Sequence, residues 1–169
     1  MGALVAVAID VVVLCPDVGA DLASLLRALR RTGAAVEVWN PAGACEPPPH
    51  WVTIVLVLTP RCAGILTEEP ELTGWIESVV MARCPAGTVL PILLDGMSMP
   101  DLMHLPGKLS QLRWVHALCW DQTHISAARL ESSVARRMTG RRRMEASRRL
   151  DAFLAESIQQ SKAITSELD

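Results

Sequence analysis

"WVTIVLVLTP", residues 51–60, decides the fold. Its centre, "TIVLVL" (53–58), is an unbroken apolar and β-branched run with no alternation of polar and apolar residues. A strand of that kind is buried on both faces, which is the signature of a parallel sheet covered by helices on either side. A second run, "TVLPILLD" (88–95), has the same character. Working outward, "VVVLC" (11–15) precedes "ADLASLLRALRRTG", where Leu22, Leu25, Leu26 and Leu29 recur at helical spacing and Gly33 marks the stop. "AAVEVW" (34–39) follows as a strand, then a Pro/Gly loop over 40–50. The spacing predicts a helix over Pro70–Arg83, an edge strand over 112–120, and a final helix from Thr123 to about Met138. The order β-α-β-β-α-β-β-α implies a flavodoxin-like, doubly wound parallel sheet of about five strands, with one crossover lacking its helix.

Composition narrows the class. A chain of 169 residues, half of them hydrophobic, builds one ordinary domain with a tail. The domain is read as 1–138, and 139–169 as a basic and amphipathic C-terminal helix or linker, with Leu150, Phe153, Leu154, Ile158 and Ile164 on a narrow stripe. Residues 1–135 carry 8 Lys/Arg against 13 Asp/Glu (net -5), whereas 136–169 carry 8 against 5 (net +3). An acidic body argues against specific nucleic-acid binding, and the basic run 136–149 reads first as a solvated helix face. Five scattered cysteines, odd in number and without a CxxC pair, fit a reducing cytoplasm better than a disulfide framework or a zinc site. His116, Cys119, Asp121 and His124 show no recognised ligand spacing, so no metal is expected. The apolar start has Asp10 within it and no basic leader, and is too short and charged for a membrane span.

Several segments, taken in order, resemble a bacterial-type Toll/interleukin-1 receptor (TIR) domain. A first strand ends in the polar loop "VVVLCPDVGAD"; "LLRALRRTGAAVEVW" is a helix leading to a strand that ends in Trp; "IVLVLTP" ends in a Ser-Pro-like step at Thr59-Pro60. Trp75 and Glu77 then precede the Val-Leu-Pro-Ile strand, and "LPGKLSQLRWV" matches the family's Leu-Pro segment before its last strand. The resemblance covers roughly residues 10–138. It implies an NAD glycohydrolase in immune or anti-phage defence, activated by oligomerisation through TIR surfaces, with NAD as substrate and Glu77 as the essential carboxylate. Cleaving the nicotinamide-ribosyl bond passes through a cation-like sugar that a carboxylate stabilises, and the pyridinium leaving group needs no acid.

Around Glu77, the ligand-contact candidates are Asp17 in the loop after the first strand, Trp39 and Trp75 for stacking, and Thr59 at a strand end. Each has a plainer role: an acidic loop residue caps a turn, a Trp buries apolar surface, a Thr closes a turn. Glu77 itself falls just beyond the apolar arc of Leu72, Trp75, Ile76, Val79 and Val80, a position equally suited to a solvated face. The shortened loop 40–50 supports the alternative, a non-catalytic TIR-like module that assembles homotypically or with a signalling partner. A further partner or module is open to the C-terminal helix.

Overall fold

The computed structural model describes residues 9–41 and 46–166, with side chains throughout these except in 140–149 and 160–166. Five strands, β1 (Val11–Leu14), β2 (Val36–Trp39), β3 (Thr53–Leu58), β4 (Val89–Leu93) and β5 (Leu118–Cys119), form one sheet in the order β2-β1-β3-β4-β5. Every pairing is parallel. This is the flavodoxin-like order expected from the buried runs. All residues of β1, β3 and β4 are buried, as unpatterned apolar strands require. The edge strand β2 instead leaves Glu37 and Val38 exposed. Asp10 ties its start to β1, its Oδ2 accepting a hydrogen bond from the Ala35 amide at 2.9 Å.

Strand parity divides the core. Val12, Leu14, Ile54, Leu56, Leu58, Val89 and Leu93 pack with two helices, α2 (Cys62–Glu68) and α3 (Pro70–Met81), and with two 3₁₀ segments, Met99–His104 and Gly107–Trp114. Residues of opposite parity, Val11, Val13, Val55, Val57, Leu90 and Ile92, are as fully buried on the other face. The remaining buried apolar helical residues are Leu25, Ala28 and Leu29 of α1 (Ala23–Arg31) and Leu130 and Val134 of α4 (His124–Ser166). A hydrogen bond from Trp120 Nε1 to Ser24 Oγ at 3.1 Å joins the end of β5 to α1.

Pro91 stands in the middle of β4, where a ladder donor would be lost. The register explains its tolerance. Leu94 donates its amide to Leu58 on β3, whereas Leu93 offers its carbonyl to Trp120 on the opposite side, so odd-numbered backbone groups of β4 face β5. Pairing with β5 begins only at Ile92, one residue past the proline. The missing N–H therefore falls where no neighbour is paired.

The crossover from β2 to β3 has no helix among its described residues; residues 42–45 of the 40–50 loop lie outside them. Two expected elements before α4 differ. Helix α3 ends at Met81 rather than Arg83, and a second helix, α2, precedes it. The strand expected over 112–120 is only the pair Leu118–Cys119, preceded by a 3₁₀ helix. Leu102, Leu105, Leu109 and Leu112 are all buried, and their spacing of three or four residues fits a helical stripe rather than a pleat.

Helix α4 begins where expected. Thr123 is its N-cap: Oγ1 accepts a hydrogen bond from the Ser126 amide at 3.2 Å, and Asp121 Oδ1 accepts from Thr123 Oγ1 at 2.6 Å. The helix does not stop near Met138 but runs without a break to Ser166, through Gly140. The chain nevertheless divides into two compact units, Met1–Ala135 and Arg136–Asp169. No helix among the described residues is long and apolar enough to cross a membrane.

Candidate functional site

In a sheet of this order the chain runs one way from β1 to β2 and the other way from β3 to β4. The loops after β1 and β3 therefore diverge, and the crevice between them is where such folds bind ligands. Two of the candidate residues meet there. Thr59 Oγ1 donates to Asp17 Oδ2 at 2.8 Å, and the Gly19 amide donates to Asp17 Oδ1 at 3.2 Å. The Arg61 guanidinium approaches the same Oδ1 at 3.7 Å, but its side chain is 74% exposed, so water screens that pair. Asp17 and Thr59 are only 5% and 1% exposed. Their polar atoms are directed at one another, closing the ends of β1 and β3 into a single knot.

Two cysteines complete it. The Cys15 thiol donates to the Asp17 carbonyl at 3.2 Å, and Cys62 Sγ accepts the Thr59 amide at 3.2 Å. Burial pushes the Cys15 thiol up to about 12 and raises Cys62 as well. Burial also raises Cys84. At neutral pH these thiols stay protonated and make poor nucleophiles.

Glu77 engages another part of the molecule. It is half-buried on α3, and its Oε1 accepts a hydrogen bond from the Lys108 amide at 2.8 Å. That amide belongs to the first turn of the 3₁₀ helix Gly107–Trp114, which has no other way to satisfy it internally. The adjoining Gly107 has φ +58°, and a Cβ there would collide with Glu77 Oε1. Gly107 is thus demanded twice, by its left-handed backbone and by the approach of the carboxylate. A negative group at this helical start is favourable for the same reason anions bind helix N-termini. The contact fastens the β4–β5 crossover to α3.

Trp39 and Trp75 are both half-buried and pack against the core cluster that holds α2 and α3. Of the five candidates, then, Asp17 and Thr59 are joined directly, the two tryptophans share an apolar layer, and Glu77 is tied to Lys108. Arg83, inconspicuous in the sequence, is one more residue that holds the fold. Its Nη1 donates to the Val79 carbonyl at 3.1 Å and its Nη2 to the Pro48 carbonyl, so it secures the triple-proline run against the end of α3. Desolvation lowers its pKa, and its buried Nε has no hydrogen-bond partner among the described residues. The signal for it was only a single arginine closing an apolar helix, too common a pattern to stand out.

Among the described residues, no three His, Cys, Asp or Glu side chains converge as metal ligands. No protein-family model, no curated protein and no solved structure matches this chain.

Proposed function

We propose that this chain is a TIR-like assembly module of immune or anti-phage signalling, in which the conspicuous glutamate holds the fold together. The observation that carries this reading is the Lys108 amide on Glu77 Oε1. A carboxylate that fastens a crossover helix has a structural reason to occupy its place. Asp17 and Thr59, sealed against each other, have one too. Met103 and Trp114, on the two 3₁₀ segments, are 56% and 78% exposed. Met and Trp are residue types enriched in the cores of protein interfaces, and their exposure supports contact with a partner through this crossover.

A second reading, NAD glycohydrolase activity, is favoured by one specific observation. Glu77 is half-buried rather than sealed, on the helix between β3 and β4 where the family resemblance implies the catalytic carboxylate. A carboxylate oriented by a backbone N–H through one oxygen is pre-positioned to receive a cationic sugar on its other side.

One experiment separates the two. Concentrated full-length protein is incubated with NAD, and nicotinamide release is followed for the wild type, Glu77→Gln and Glu77→Ala. The assembly reading expects no release from any of the three, with Glu77→Ala the least stable in urea. Release by the wild type that disappears in a stably folded Glu77→Gln overturns it in favour of the enzyme.

A further inference from the structure

Large apolar side chains reach solvent in both units, but their arrangement differs. In the first unit they are scattered along the sequence, as at Val18, Val38 and Ile125. In the second they form a row: Leu150 is 57% exposed, Phe153 64%, Leu154 49% and Ile158 56%. Stepping 100° per residue from Leu150, the four span an arc of about 140° on one side of the helix. Between Arg136 and Ser166 the helix is about 46 Å long, ample for several turns of contact with a partner of equal length.

The charges around this row are polarised. Residues 136–149 hold seven Arg and one Glu, net +6, whereas the helical residues 150–166 hold one Lys, one Asp and one Glu, net -1. The apolar row begins at the boundary between the two blocks. We infer that two copies of the chain pair through this helix in antiparallel orientation, crossing near residue 152.

Charge sets the direction. Parallel alignment lays one arginine block along the other, whereas antiparallel alignment lays each arginine block along its neighbour's weakly acidic 150–166 segment and avoids that repulsion. The apolar row sets the register. With the crossing near 152, Leu150 of one copy meets Leu154 of the other, and position 146, an alanine, comes opposite Ile158, small against large. Positions 149 and 156 lie on the same flank of the helix, at about -100° and -120° from Leu150. Antiparallel pairing joins like flanks, so position 149, an arginine, of each copy comes beside position 156, a glutamate, of the other. The inference is independent of the TIR-like reading, which concerns surfaces of the first unit.

The test uses the full chain under reducing conditions, with sedimentation velocity at concentrations from about 1 to 200 µM. The expected result is a reversible monomer–dimer equilibrium. The double substitution Leu150→Glu/Leu154→Glu weakens it by at least about 100-fold, because each change counts twice in a symmetric pair. All five tryptophans lie in residues 39–120, so their near-ultraviolet circular dichroism reports on the first unit alone and stays unchanged. Arg149→Glu and Glu156→Arg each weaken the dimer, and the two combined restore it. A chain that stays monomeric throughout overturns the inference, including one that instead sediments with phosphatidylserine vesicles. A dimer that survives Leu150→Glu/Leu154→Glu overturns it too, while leaving assembly through the first unit intact. A dimer that the combined charge swap fails to restore overturns the antiparallel arrangement.

Discussion

Asp17 and Glu77 are both carboxylates that accept a hydrogen bond from a distant segment, yet their surroundings give them different freedom. Asp17 is 5% exposed and has both oxygens occupied, one by the Thr59 hydroxyl and one by the Gly19 amide. Glu77 is half-buried and is held through Oε1 by the Lys108 amide. Among these candidates the crevice at the sheet's switch point, where a ligand is looked for first, carries the sealed carboxylate. The more open one sits on a helix flank against a crossover. Location within a fold nominates a site, but the occupancy of each oxygen determines what the site is free to do.

The largest loss is expected at Asp17. Replacing it with Ala strands the buried Thr59 hydroxyl and the Gly19 amide and leaves a small void between β1 and β3. Losing charge-assisted hydrogen bonds in a buried setting costs about 2–4 kcal/mol. Urea unfolding followed by tryptophan fluorescence should show a loss in that range, and Asp17→Asn, which keeps the shape, less than half of it. A loss under about 0.5 kcal/mol for Asp17→Ala would mean that the knot is not a structural element.

Glu77 and Gly107 act on one another at a smaller scale. Gly107→Ala introduces a Cβ at φ +58° and pushes it onto Glu77, for an expected loss of about 2–3 kcal/mol. Glu77→Ala alone removes one partly exposed hydrogen bond, about 1 kcal/mol. Combined, the two should cost about 1 kcal/mol less than their sum, because removing the carboxylate relieves the collision. Strict additivity in the thermodynamic cycle would disconnect the glutamate from the crossover.

What the sequence disclosed follows the range of the interaction. "TIVLVL" and "VLPIL" announce doubly buried strands because burial on both faces erases alternation, a property local to each segment. The wheel likewise placed Glu77 at the border of the apolar arc, and it is half-buried. Asp17 and Thr59 were each visible as strand-end polar residues, but their mutual bond spans 42 residues and leaves no local pattern. The same holds for Lys108, 31 residues from Glu77, whose contribution is a backbone amide and so is independent of its side chain. Helix α2 was hidden because "CAGILTE" is short, contains Gly64 and ends just before Pro70, all of which read as loop. The leucines at 102, 105, 109 and 112 recur at helical spacing and are buried, but reading 112–120 as extended hid the turn imposed at Gly107.

The smallest expected effect concerns a third carboxylate, exposed at the start of α4. Hydrogen bonds from the Thr123 hydroxyl and amide hold Asp121 down to about 2. Its folded pKa lies below the ordinary carboxylate value, so the stability it contributes is fully present above about pH 4. That contribution is lost as the pH falls from there towards 2, because protonation removes the acceptor that steadies the N-cap. Asp121→Asn cannot be protonated in this range. Thermal unfolding between pH 2 and 5 should therefore fall less steeply for Asp121→Asn than for the wild type, with the two curves converging at the acid end. Parallel curves over the whole interval would show that Thr123 caps the helix without help from Asp121. Because this carboxylate is exposed, its loss should leave both the Asp17 knot and the Glu77 tie undisturbed.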